Sequence, residues 1–84
     1  MPYIPEEKRV GKCDEIVQLM KDLNIQPDGE INYILYKFCK DTVKPGYNTY
    51  KNYLGELDEC RTEIRRRFLA PYEDLAIERN GDVK

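Results

Sequence analysis

The stretch FLAPYEDLAIERNGDV, residues 68–83, carries the clearest local signals in this chain. Pro71 has no backbone N–H to donate, so it predicts the end or a bend of the helix before it. Proline is also favoured in the first turn of a new helix, where an acid such as Glu73 is stabilised by the helix dipole. Asn80 and Gly81 together are typical of a helix terminator. The stretch is therefore predicted to be a bend followed by a short helix that packs back on the preceding helices.

Three longer amphipathic helices are predicted upstream of this stretch. The first begins at or just after Pro5 and ends near Asn24, the second follows a capping residue at Asp28, and the third begins at Asn48 or Thr49. Along each of them apolar residues recur at spacings of three and four: Cys13, Ile16, Val17, Met20 and Leu23; Ile31, Ile34, Leu35, Phe38 and Cys39; Tyr50, Tyr53, Leu54, Leu57, Cys60, Ile64 and Phe68. The sequence therefore predicts an all-α fold, a compact bundle of three main helices plus a short C-terminal helix after a bend at Pro71.

Length and composition limit the classes of protein to consider. With 84 residues the chain has room for one core, so residues 1–84 are predicted to form a single helical domain. A chain this short buries little surface, which favours assembly with further copies. Charged residues make up 36% of the chain and the net charge is −2, values that argue against binding to duplex nucleic acid.

The three cysteines, Cys13, Cys39 and Cys60, are odd in number and lie in apolar stretches, so they are predicted to be core thiols in a reducing cytosol. Histidine is absent from the sequence, which removes the common zinc sites, and we expect no metal and no cofactor. The first ten residues do not resemble a signal peptide, and no apolar run is long enough for a membrane helix. A cytoplasmic protein without a membrane partner is expected.

Two residue types could bind a ligand. Arg65, Arg66 and Arg67 spread around a helix, so at most two can hold one anion, and a solvated face of ion pairs is the alternative. The seven tyrosines include Tyr33 and Tyr36 beside the apolar side of the second helix. Tyrosines in such places commonly pack their rings against the edge of a core while the hydroxyl group stays in contact with solvent. The alternative is that they form an interface, or a surface on which a nucleobase stacks.

The acidic residues give weak support for an enzyme. Asp28 is expected to cap a helix, and Glu73 and Asp74 lie where a helix start favours negative charge. No histidine is present to activate a cysteine. Proton transfer by Tyr, Glu or Asp stays open as a third hypothesis, but a non-enzymatic role is favoured.

Several motifs resemble a family of short, uncharacterised proteins carried by bacteria and their phages. The motifs are MPYI at the start, GEINY at Gly29–Tyr33, RRRFLAPYED at residues 65–74 and NGDV at residues 80–83. The lysine that is typical of the family after the acidic pair is absent here, since Leu75 follows Asp74 directly. The resemblance implies a helical fold in a phage or prophage setting, in the cytoplasm of a bacterial host cell, without implying a known activity.

The family-like motifs also define a candidate ligand-binding site. Its members are polar or aromatic residues that helix capping alone would not all require: Asn32, Tyr33, Arg66, Tyr72, Glu73, Asp74, Asn80 and Asp82. If the last helix folds back over the second and third helices, these residues line one cleft.

Two functional hypotheses follow. The first is a small, non-enzymatic, homo-oligomeric binding protein of phage type that counters host anti-phage defence by sequestering a nucleotide signal, with tyrosines stacking on a base and arginines holding phosphate. The second is a helical protein–protein interaction module, an adaptor or inhibitor of phage or bacterial origin, whose exposed tyrosines dock a protein.

Overall fold

A computed structural model describes residues 3–84 of the chain. Met1 and Pro2, which begin the MPYI motif, lie outside the described residues. The helical elements are α1 (Glu6–Arg9), α2 (Lys12–Asp22), α3 (Gly29–Thr42), α4 (Tyr47–Ile64), a π-helical stretch (Arg65–Leu69, the π segment) and α5 (Ala70–Asn80). No strand occurs in residues 3–84, so the predicted all-α fold with three main helices and a C-terminal helix is confirmed.

The first predicted helix is interrupted at its start. α1 ends at Arg9, and Gly11, just before α2, has a φ of 94°, a conformation that costs glycine little but strains residues with a Cβ. At the other end, Asn24 adopts a φ of 55°. Its N–H bonds to the carbonyl of Lys21 at 3.0 Å, and the Ile25 N–H bonds to the carbonyl of Met20 at 3.0 Å. These two bonds form a Schellman motif, which explains why the helix ends where the sequence predicted.

The starts of α3 and α4 are set by local hydrogen bonds. Asp28 caps α3 as predicted, because its carboxylate Oδ1 accepts the Glu30 N–H at 3.0 Å. Before α4, the Thr49 hydroxyl donates to the carbonyl of Gly46 at 3.0 Å and also to the carbonyl of Lys44. The Lys44-Pro45-Gly46 turn is thereby tied to the first turn of α4.

Helical residues run without a break over residues 47–80, because α4, the π segment and α5 follow one another directly. The N–H of Ala70 bonds to the carbonyl of Arg65, five residues back instead of four. Pro71 is the second residue of α5. A proline ring collides with the carbonyl four residues back in a regular α turn, so the wider π turn just before Pro71 gives the ring room.

The described chain divides into two compact units, and the boundary falls inside α4. The amino-terminal unit comprises Tyr3–Tyr53 and the carboxy-terminal unit comprises Leu54–Lys84. The single domain over residues 1–84 stays a prediction. None of the described residues is buried in either unit.

Tyr53 joins α3 to α4 within the amino-terminal unit. Its hydroxyl donates to the carbonyl of Leu35 at 2.6 Å, and its ring lies 6.5 Å from the ring of Phe38, tilted by 34°. Partial burial of the phenol raises the pKa of Tyr53, and the neighbouring Cys39 thiol raises it further. Half-buried apolar residues lie on α2 and α3 of the same unit: Cys13, Met20, Ile31, Ile34 and Cys39.

We expect Tyr53→Phe to lower the free energy of unfolding by about 1 kcal/mol at neutral pH, because it removes one hydrogen bond to a main-chain carbonyl. The folded state holds the phenol neutral above its ordinary pKa of about 10. Tyr53 therefore stabilises the fold fully below about pH 10, and this contribution is lost as the pH rises through the raised pKa.

Urea unfolding followed at neutral and alkaline pH measures this difference. The gap between the original chain and Tyr53→Phe should close above about pH 10. Tyr36→Phe is the matched control, since Tyr36 is 69% exposed, and it should change the stability little. A constant gap between the two proteins at every pH would contradict the assigned role of the Tyr53 phenol.

Candidate functional site

The predicted site residues are distributed over both units. Asn32 and Tyr33 are exposed on α3 in the amino-terminal unit, and the other members lie in the carboxy-terminal unit, where they too are exposed: Arg66, Tyr72, Glu73, Asp74, Asn80 and Asp82. A single cleft that includes all eight residues stays a prediction.

Arg66 is engaged by a carboxylate of its own helix. Its Nε donates to Oε2 of Glu63 at 2.8 Å and its Nη2 donates to Oε1 at 3.2 Å. Two parallel N–H donors on one carboxylate form the fork geometry that guanidinium groups favour. An anionic ligand would have to compete with Glu63 for Arg66, so Arg66 is a weaker phosphate ligand than the sequence predicted.

Arg65 lies beside Glu73, one of the predicted site residues. Its Nη1 lies 3.9 Å from Oε1 of Glu73, and both side chains are more than half exposed. The two residues are eight positions apart, and in a regular α-helix that separation would place them about 80° apart around the axis. Arg65 was a possible anion ligand together with Arg66 and Arg67 but was not among the eight predicted site residues, because its pairing with Glu73 depends on the extra residue that the π segment takes up.

Tyr72 pairs with a second arginine that sequence analysis missed. The guanidinium carbon of Arg79 lies 5.9 Å from the centre of the Tyr72 ring, within the range of a cation–π contact. Tyr72 is 62% exposed, so one face of its ring and the guanidinium group are accessible together. The separation of seven residues, two turns of α-helix, was the signal in the sequence that could have identified Arg79.

The last predicted residues end α5. Asn80 is the final residue of the helix, and Gly81 has a φ of 86° with its N–H bonded to the carbonyl of Ile77 at 2.8 Å. This arrangement confirms the predicted helix end. The Asp82 carboxylate accepts the Val83 N–H at 2.7 Å, so Asp82 shapes the backbone that follows the helix.

The candidate site presents charged and aromatic side chains to solvent. Guanidinium groups and a tyrosine ring face solvent beside carboxylates, and within residues 3–84 no group of three or more His, Cys, Asp or Glu side chains could hold a metal ion. All three thiols are free. The prediction of core thiols is wrong for Cys60, which is exposed, because no other helix of its unit covers that part of α4.

No helix among the described residues combines the length and the apolar character that crossing a membrane requires. Comparison with protein families shows that residues 1–83 match the model of one family, described as "Domain of unknown function (DUF6899)". Neither the curated proteins nor the solved structures include a match.

Proposed function

We propose that this chain, which belongs to the family described as "Domain of unknown function (DUF6899)", is a small non-enzymatic binding protein that works as a homo-oligomeric protein–protein interaction module. The observation that carries the proposal is the exposure of its apolar side chains. Among the described residues none is buried, and 21 large apolar or aromatic side chains are exposed. Large exposed apolar patches mark interaction sites in soluble proteins.

Ordering the helices costs conformational entropy, which burial of apolar side chains must offset. Fixing a residue in one backbone conformation costs about 1–2 kcal/mol, and hydrophobic burial is the main term that offsets this cost. α2 has 11 residues, a length at which isolated helices are marginal in water. A surface supplied by another molecule would bury the exposed side chains and stabilise the helices.

Sedimentation equilibrium of the purified chain tests this proposal. We expect an assembly larger than the 10.0 kDa of one chain at micromolar concentration, with helicity that rises as the concentration rises. A chain that stays monomeric and melts cooperatively at every concentration would overturn the proposed self-association.

Sequestration of a nucleotide signal, in a phage setting where it would counter host anti-phage defence, is the second candidate. The Tyr72–Arg79 pair favours it, because a nucleobase can stack on an exposed tyrosine ring while a guanidinium group holds phosphate. Arg65 lies at the edge of the same helix, where it contacts Glu73.

Calorimetric titration with a panel of cyclic and linear nucleotides tests the second candidate. If one of them binds, Arg79→Ala should weaken that binding by about tenfold or more, since a hydrogen bond to a charged group contributes about 1.5–3 kcal/mol. Arg9→Ala is the matched control, because Arg9 lies in the amino-terminal unit and its Nε donates to the carbonyl of Ile4. No heat of binding from any nucleotide in the panel would remove this candidate.

A further inference from the structure

We propose that the carboxy-terminal unit binds a second copy of this chain, antiparallel to itself, with the two-fold axis close to Ala70. The contact surface is one side of the helix, which we call the apolar stripe: Leu57, Ile64, Phe68, Tyr72 and Ala76. The proposal rests on the self-association proposed above and adds its surface, direction and register.

The apolar stripe is continuous along the helix only because of the π segment. Leu57 and Ile64 are seven residues apart, a spacing that returns to nearly the same side of an α-helix. Ile64 and Tyr72 are eight apart, and in a regular α-helix they would diverge by about 80°. The Ala70-to-Arg65 hydrogen bond closes a turn with one more residue, which brings Tyr72 back toward the side of Ile64.

The Arg65–Glu73 contact is the direct evidence for this realignment. These residues are also eight apart and also span the π segment, yet their charged groups approach to 3.9 Å, so they share one edge of the helix. The neighbouring pair, Ile64 and Tyr72, is realigned in the same way. Ile64, Phe68 and Tyr72 are 51%, 67% and 62% exposed, so the stripe lies open along the π segment.

The charges on this edge identify a second copy as the occupant. In a two-fold contact each residue meets its counterpart reciprocally, and in an antiparallel pair the same edge of the two helices faces itself. With the axis near Ala70, Arg65 of one copy lies opposite Glu73 of the other, and the same pair occurs again on the other side of the axis. A parallel pair would place Arg65 at the same level as Arg65 of the second copy, without this complementarity.

The side-chain sizes along the stripe fit the same register. Residues whose numbers sum to about 140 meet across an axis at residue 70, so Phe68 faces Tyr72 of the second copy and Ile64 faces Ala76. The first pair is an aromatic contact, which favours offset or edge-to-face packing, and the second places a large residue against a small one. The numbers of Arg65 and Glu73 sum to 138, so in this register the charged pair is offset by about 3 Å along the helices, a distance that these long side chains span.

Two opposite charge variants test the proposal. Arg65→Glu makes this edge wholly acidic at these two positions and Glu73→Arg makes it wholly basic, so each variant alone should self-associate roughly tenfold more weakly at low salt. Mixed in equal amounts, the two variants should form a heterodimer with about the affinity of the original chain. Lys51→Glu, in the amino-terminal unit, is the control and should change neither result.

The mixing experiment separates this contact from the Arg65–Glu73 contact within one chain, because only a contact between copies is restored by mixing. Variants that associate as tightly as the original chain, or that stay weak when mixed, would overturn the proposed register. Self-association of the original chain in the same measurement preserves the proposed function whatever the variants do.

Disulfide trapping gives a second test that does not depend on charge. With Cys13, Cys39 and Cys60 replaced by serine, Leu69→Cys places a thiol near the two-fold axis and should form a covalent dimer on oxidation. Ile64→Cys should not, because the two thiols would be roughly 18 Å apart along the helices. Cross-linking through Ile64→Cys but not Leu69→Cys would show a parallel pair and overturn the proposal.

Discussion

Replacing Phe68 with aspartate is expected to weaken self-association of this chain at least a thousandfold. Phe68 lies at the centre of the apolar stripe, is 67% exposed in the single chain and faces Tyr72 of the second copy in the proposed contact. Truncating a buried phenylalanine costs about 3–5 kcal/mol, and a two-fold dimer loses two such side chains. Each 1.4 kcal/mol is a factor of ten in the dissociation constant, so even partial burial of Phe68 gives the stated effect.

Sedimentation equilibrium and far-ultraviolet circular dichroism measure this result together. Helicity should fall with association, because the long helix of the carboxy-terminal unit would lose the burial that the second copy supplies. Phe68→Leu preserves an apolar side chain at the same place and should change the dissociation constant far less.

Tyr36→Asp controls for the general loss of an exposed aromatic residue, since Tyr36 is 69% exposed on α3. It should leave the association of the carboxy-terminal unit unchanged. Equal association by the original chain and Phe68→Asp would show that the apolar stripe is not the contact surface.

Removing one residue from the π segment is expected to preserve self-association, whereas adding one residue is expected to weaken it. Deleting Arg66 makes Ile64 and Tyr72 seven residues apart, so an ordinary α-helix keeps the stripe continuous and self-association should persist. Inserting an alanine after Arg66 rotates α5 by about 100° relative to α4, which divides the stripe and should weaken association at least a hundredfold. Both changes are made with Pro71→Ala, since a proline ring collides with the carbonyl four residues back in an α turn.

The two variants differ only in the direction of the change, so they control for each other, and Pro71→Ala alone serves as the reference. Thermal unfolding at several concentrations reports both helix stability and assembly. If the deletion dissociates the chain as thoroughly as the insertion does, the alignment of Ile64 with Tyr72 is not what the π segment contributes.

The helices themselves were largely predictable. Asp28 at the start of α3, Asn24 after α2 and Gly81 after α5 all act through hydrogen bonds to backbone groups a few residues away. Such contacts depend on local chain geometry, so residue type and spacing are sufficient to predict them. The interruption at Gly11 is also local, and a glycine within a predicted helix is its signal.

The candidate site was less predictable, because it depends on which residues lie on the same side of one long helix. Arg66 was the predicted anion ligand, but its guanidinium group is held by Glu63, while Arg65 and Arg79 lie beside Glu73 and Tyr72. A regular α-helix of the same sequence would not bring Arg65 to Glu73. The π segment contains one extra residue in a turn and so changes which residues share a side of the helix. The position of that extra residue was not predicted from the residue pattern of the stretch.

Composition and spacing were enough to establish an all-α chain with three main helices and a C-terminal helix, since helix formation follows from near-neighbour backbone bonds and apolar periodicity. They were not enough to show how far the apolar sides of those helices are covered. Burial depends on surfaces distant in the sequence, and in residues 3–84 those surfaces leave every apolar side chain at least partly open. The exposed stripe across the π segment therefore became visible only in three dimensions.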